Sequence, residues 1–168
     1  MAECKLITAE RLRTILHYDP NSGVFTRIMS TSNSVKAGDV AGRGSGGGYR
    51  QISVDNRLYL AHRLAWLYMT GEWPEVQIDH VNMDRADNRF VNLRQATRSE
   101  NKGNMRAQAN NASGLKGVYW HKRAGKWCAQ INTNGTRRHL GCFDSPEAAH
   151  AAYIASAKKH FGEFARFA

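Results

Sequence analysis

Apolar residues recur at helical spacing near the start of the chain, where "TAERLRTILHY" sets Leu12, Ile15 and Leu16 on one side behind Thr8. A threonine there suits a helix N-cap. "DPNSG", residues 19–23, then reads as a turn and "VFTRI" as a strand. Alternation takes over in "QISVDNRLYL", where Ile52 and Val54, then Leu58 and Leu60, flank Asp55-Asn56. That pattern predicts a β-hairpin. "AHRLAWLYMTG" is a nearly continuous apolar helix ended by Gly71, and "WPEVQID" leads out of it as a short strand. Farther along, strand patterns at 117–122, 126–132 and 136–143 are separated by "RAG" and "NTNG". Ser145-Pro146-Glu147 opens a last helix as cap, first-turn proline and favourable dipole charge. Ala148, Ala149, Ala151, Ala152 and Ala155 let that helix lie close on a sheet, and Gly162 ends it. The class is α+β: a mixed N-terminal part, then a three-stranded antiparallel sheet with one helix.

Composition narrows what such a chain can be. With 168 residues, 42% of them hydrophobic, it can bury one core or two small ones. The polar, basic "NMRAQANNASG" is the best linker, which divides the chain into modules at 1–105 and 114–168 joined by residues 106–113. No apolar run approaches the roughly 20 residues of a membrane span, and the first residues lack a signal-peptide core. The expected location is the cytoplasm, with no membrane partner. Cys4, Cys128 and Cys142 are odd in number and far from any C-x-x-C spacing, so reduced thiols are expected. The net charge is +10, and between Arg94 and Lys126 eight basic residues face Glu100 alone. Such clustering suits a polyanion, whose condensed counterions are released on binding.

Two features carry less chemistry than they suggest. Gly42, Gly44 and Gly47 form a literal G-x-G-x-x-G, but a strand pattern follows them where a dinucleotide site needs a helix, so the run reads as a flexible loop. His62 sits in the apolar helix and reads as a buried, hydrogen-bonded residue without a catalytic role.

The stretch "DHVNMDRADNRFVNLR", residues 79–94, gathers Asp, Asn and one His. A solvated loop could hold them, because turns favour Asn and Asp. So could a site that binds a metal ion and activates water. Asp79 directly precedes His80, Asn92 follows at twelve residues, and Asn101 nine beyond that, in a segment whose "TRSEN" is helical in pattern. Phosphodiester hydrolysis needs a base near pH 7 and a cation for the developing charge. A neutral histidine supplies the first, while carboxylate and amide oxygens suit magnesium or manganese.

This constellation resembles the HNH endonuclease family, in the subset of phage and intron homing nucleases whose last motif histidine is an asparagine. The likeness takes in "YDPNSGVF", "GGGYRQISVDNRLYLAHRLAW" and "TGEWP" as well, so it spans most of residues 10–105. It implies a ββα-metal fold over 76–105, Asp79 and Asn101 as ligands of Mg2+ or Mn2+, and His80 as general base. Asn92 would orient the histidine or its loop, with Asp87, Asn88 and Arg94 in lesser parts. It also implies a phage-type gene product acting in a bacterial host.

The C-terminal segment resembles the Apetala/ethylene-response-factor DNA-binding domain through "GV", "GKW", "LG.F" and the "SPEAA" helix start. That resemblance implies a sheet face that enters the major groove, with Lys116, Tyr119, His121, Gln130, Asn132, Arg137 and His139 at the contacting positions. Tyr, His, Gln and Asn stand at several of them in place of the family's Arg, Glu and Trp. Arg94, Arg98, Lys102 and Arg106 add a basic junction expected to contact DNA. Trp120 and Trp127 could stack on nucleic acid, but Trp120 shares strand parity with Val118, and the expectation is that they pack in the core. The function expected is a metal-dependent endonuclease on double-stranded DNA that nicks as a monomer. Its rivals are a DNA-binding regulator with an inactive nuclease module and, more weakly, an RNA-binding protein.

Overall fold

A computed structural model describes residues 6–30, 32, 34–107 and 111–167. Cys4 and the centre of the expected linker lie outside them. The chain forms two compact units, Met1–Gln95 and Ala96–Ala168, so the boundary falls before the "TRSEN" helix, N-terminal to the expected linker.

In the first unit α1 (Ala9–Ile15) is capped by the Thr8 hydroxyl, which accepts from the Arg11 amide. Leu16 does not continue the helix as its spacing suggests. It opens β1 (Leu16–Asp19), which pairs antiparallel with β2 (Val24–Arg27), joined in turn by β3 (Val40–Ala41). Packing decides this, since Leu16 and Tyr18 are both buried at strand period. A second sheet runs β4 (Arg43–Gly44), β5 (Arg50–Val54) and β6 (Arg57–Leu60). Asp55 and Asn56, with φ of 47° and 61°, make the two-residue hairpin turn. The helix α2 (Ala61–Thr70) ends at Gly71. Finally β7 (Gln77–His80) pairs with β8 (Leu93–Ala96).

Ile78 of β7 and Leu93 of β8 belong to the same core as Leu12, Phe25, Ile52, Leu64 and Leu67. Burying such side chains stabilises by roughly 1.5–3 kcal/mol each, which fixes the strand that also carries Asp79 and His80. The glycine-rich run is not the flexible loop its composition suggests. It closes on itself, with the Ser45 amide and hydroxyl donating to the Tyr49 carbonyl around a 3-10 turn at Gly46–Gly48.

The second unit opens with α3 (Arg98–Asn104), whose Thr97 and Glu100 form a reciprocal capping box. Three strands follow, β9 (Val118–His121), β10 (Lys126–Thr133) and β11 (Thr136–Phe143), with β10 central, and α4 (Pro146–Phe161) begins at the Ser145 cap. Val118, Ala129 and Ile131 pack under Ala149, Tyr153, Ala157 and Phe161. Of the five alanines expected to allow close approach only Ala149 is buried, and Ala157 supplies the second contact. Gly117 is required where it stands: its φ is 78°, and a Cβ there would lie 2.1 Å from the Tyr153 ring.

Two expectations fail in this unit. Cys128 and Cys142 are joined in a disulfide instead of being reduced thiols. The Asn134-Gly135 turn pairs Thr133 with Thr136 and Asn132 with Arg137, a register that continued regularly would set Cys128 opposite Gly141. A bulge with Leu140 as the extra residue shifts the ladder by one and brings Cys142 to face Cys128. Trp120 is 46% exposed, not a core residue. It does lie on the α4 side, but at the strand end, with its ring edge-on to its cross-strand partner Trp127.

Candidate active site

Asp79 and His80 are consecutive on β7, so their side chains leave opposite faces of the strand, and both are buried. The Asp79 Oδ2 accepts from Arg94 Nε at 3.0 Å and lies 3.0 Å from Arg94 Nη2. The paired strand β8 delivers that guanidinium. His80 Nε2 lies 3.4 Å from Asn88 Oδ1. Asn88 is itself 1% exposed and held from both ends: its Nδ2 donates to the Ala86 carbonyl, and its own carbonyl accepts from the Tyr18 hydroxyl at 2.6 Å. Because Nδ2 is committed to Ala86, the atom facing His80 is the oxygen, which only accepts. Nε2 therefore carries the ring proton, and Nδ1 is the basic nitrogen. Burial lowers the His80 pKa, and the Asn88 bond with the charges of Asp79, Asp84 and Asp87 opposes that shift only in part. The imidazole is therefore neutral near pH 7.

Residues 81–92 form the loop that places Asn88. Asn92 spans its two ends: Oδ1 accepts from the Asn82 amide, Nδ2 donates to the Asp87 carbonyl, and the Asn92 carbonyl accepts from the Val81 amide. Asp87 is gripped by Arg89 Nε and Nη2 and by Asn82 Nδ2, with Arg89 foremost in lowering its pKa to about 2. Asp84 accepts from the Ala86 amide and Asn82 from the Asp84 amide. Asn92 thus braces the loop, and the residue against the histidine is Asn88. The turn at 19–23 presses on this loop from below. Gly23, at φ 73°, passes so near that a Cβ would meet the Arg89 nitrogen at 2.4 Å.

Two residues without an assigned part adjoin His80. The His62 ring lies edge-on to it with centroids 5.0 Å apart. The Tyr49 ring is 5.3 Å from His62 and 6.1 Å from His80. Arg85 stacks on Tyr49 at 4.9 Å and donates from Nη1 to the Gly47 carbonyl. Periodicity could reveal that His62 is buried, but not what it is buried against. The only signal for Tyr49 was its place in the long resemblance.

In the second unit Asn101 lies half-buried on α3, with Arg98, Lys102 and Arg106 exposed. Lys116 does not stand on the sheet. Its Nζ donates to the Gly103 and Met105 carbonyls at 2.6 Å each, and burial foremost, then Arg166, brings its pKa down to about 8. The ladder pairs Gln130 with His139, Asn132 with Arg137, and Cys128 with both Tyr119 and Cys142. Tyr119, His121, Gln130, Asn132, Arg137 and His139 therefore share the face turned away from α4, with the disulfide among them. A cleft of about 210 Å3 at its edge is lined by Lys102, Lys116, Gln130, Asn132 and Arg137 among others.

Among the described residues no group of three or more His, Cys, Asp or Glu is placed to hold a metal. Asp79 offers one hard carboxylate. That donor chemistry fits magnesium or manganese, which retain waters and complete their shell with substrate oxygens. No helix among the described residues is long and apolar enough to cross a membrane.

Residues 59–102 match a family model described as HNH endonuclease, and residues 113–163 one described as AP2 domain. Protein 3.8 of Escherichia phage T7 is 32% identical over 107 residues, which cover 63% of this chain and 88% of that protein. The HNH homing endonuclease I-HmuI, from a structure concerned with DNA binding and cleavage, aligns with a TM-score of 0.42 at 16% identity over 88% of this chain and 85% of its own. The chain carries an HNH endonuclease segment with an AP2 domain C-terminal to it, and belongs to one family with protein 3.8 of Escherichia phage T7.

Proposed function

We propose that this chain is a divalent-metal-dependent endonuclease that hydrolyses phosphodiesters in double-stranded DNA, acting as a monomer and cutting one strand. The observation that carries this reading is His80, buried and neutral, with Nε2 turned to Asn88 Oδ1 and a buried carboxylate next to it in sequence. His80 Nδ1 takes a proton from the attacking water, and the imidazolium that forms is stabilised by the Asn88 oxygen and the nearby carboxylates. Arg94 holds the Asp79 carboxylate through Oδ2, and Asp79 is the residue of β7 that would hold a cation. Magnesium or manganese bound there would neutralise the charge developing on the phosphate and the leaving oxygen. The motif's second ligand position falls on Asn101, a neutral amide and so a weaker donor than a carboxylate. Cleavage leaves a 5′-phosphate and a 3′-hydroxyl.

DNA is held by the exposed sheet face of the AP2 domain and by the cations Arg98, Lys102, Arg106 and Arg137. Lys116 acts indirectly, by fixing the end of α3. The supporting test is incubation of supercoiled plasmid with protein and Mg2+ or Mn2+, against an EDTA control, alongside a binding assay in EDTA. Nicked circles that require the metal support the nuclease. Binding without cutting, on DNA that contains the target, supports a regulator with an inactive nuclease module.

A further inference from the structure

His62 is a histidine whose chemistry the fold does not use. It stands in the first turn of α2 at 4% exposure, and its Nδ1 is buried without a hydrogen-bond partner among the described residues. Leaving a buried polar atom unpaired costs about 1–3 kcal/mol, which an apolar residue on the same helix would avoid. Its ring is nevertheless set edge-on to His80, 84° between planes, with Tyr49 beside both. Burial foremost, with smaller contributions from the neighbouring His80 and Arg63, lowers its pKa to about 3, so it is a neutral ring able to donate at one nitrogen and accept at the other. A ring that adjoins His80 and carries a buried nitrogen that weakens the free fold marks a function realised in another state.

We propose that His62 is a positioning residue of the nuclease site, whose Nδ1 takes its hydrogen bond only when DNA is bound, from water held against His80. This rests on the reading of His80 as the base. The exposed Arg85, which stacks on Tyr49 and reaches the Gly47 carbonyl, is the cation a phosphate draws first. Its departure loosens the Tyr49 side of the three-ring wall and admits solvent. DNA lying over the opening traps that water, and two neutral imidazoles then fix its orientation.

The full-length His62→Phe and His62→Asn variants test this. The measurements are urea stability, affinity for duplex DNA in EDTA, and cleavage at saturating DNA with Mn2+. Phenylalanine keeps a ring and removes both nitrogens, so His62→Phe is as stable as the wild type or more so and binds within about twofold, while cleavage falls by at least about tenfold. Asparagine returns an amide near the Nδ1 position and recovers part of the rate. In wild type, long-range 1H–15N spectra in EDTA show the His62 Nδ1 resonance moving when duplex DNA is added. Wild-type cleavage by His62→Phe, a rate loss matched by lost stability or affinity, no gain from asparagine, or an unmoved Nδ1 resonance would each overturn the inference. A wild type that binds DNA without cutting counts against the nuclease reading alone, and the Nδ1 resonance still decides this one.

Discussion

Acid should weaken the first unit through His62, and by an amount its burial sets. In the unfolded chain a histidine titrates near 6.5, whereas burial holds the folded pKa at about 3. Above pH 6.5 both states are neutral and the residue contributes no pH dependence. As pH falls through 6.5 the unfolded chain takes up a proton that the folded ring refuses, so stability is lost between about 6.5 and 3. At pH 5.0 the loss from this one group is about 2 kcal/mol, a magnitude insensitive to the folded value so long as that lies well below 5. Other groups titrate over the same range, His80 with the same sign, so wild type is compared with His62→Phe. Native-state hydrogen exchange of peptides covering α2, corrected for intrinsic rates, reports the unit that contains both histidines. From pH 7.5 to 5.0 wild type should lose about 2 kcal/mol more than His62→Phe. Equal losses would mean that His62 is protonated or solvated in the folded protein, and the account of its neutral, unpaired ring would be wrong.

Three other perturbations probe the site and its support. Asn88→Leu removes the oxygen that sets the His80 tautomer, so single-turnover cleavage should fall roughly ten- to hundredfold with DNA affinity intact; an unchanged rate refutes the orienting role. Arg94→Ala leaves the buried Asp79 carboxylate without its ion partner, and urea unfolding in EDTA should show a loss of about 3–5 kcal/mol, against which a loss below about 1 kcal/mol would argue. Reducing Cys128–Cys142 frees a 14-residue separation and should cost the second unit about 3 kcal/mol, read as a lower melting temperature with dithiothreitol and as no change in a Cys128→Ser/Cys142→Ser variant.

Most of the architecture was legible because it depends on local chemistry. Thr8, Gly71, Thr97 with Glu100, and Ser145 with Pro146 all end or begin helices where their side chains or backbones require. The Asp55-Asn56 and Asn134-Gly135 turns set hairpins for the same reason. What escaped depends on register or on contacts distant in sequence. Leu16 fits a helix face and a strand face alike, and only packing beside Tyr18 and Phe25 decides. The disulfide depends on a one-residue bulge that no pattern of apolar positions announces. In the site, Asp79 and His80 stood out by spacing, but Asn88 and Asn92 are indistinguishable as turn residues until the loop closes. Then one faces the histidine and the other ties the loop ends. His62 was readable as buried, and its neighbour was not, because α2 and β7 meet only in the folded core.

Pairing cleavage with binding in one variant shows whether His80 is the base of a metal-dependent cut. Full-length His80→Ala and wild type are compared on the same target-containing duplex, with affinity measured in EDTA and single-turnover cleavage started by Mg2+ or Mn2+. With His80 as the base, affinity is equal, wild type cuts in a metal-dependent way and the variant does not cut, because its phosphate contacts survive while the water keeps its proton. Substantial metal-dependent cleavage by purified His80→Ala would contradict it.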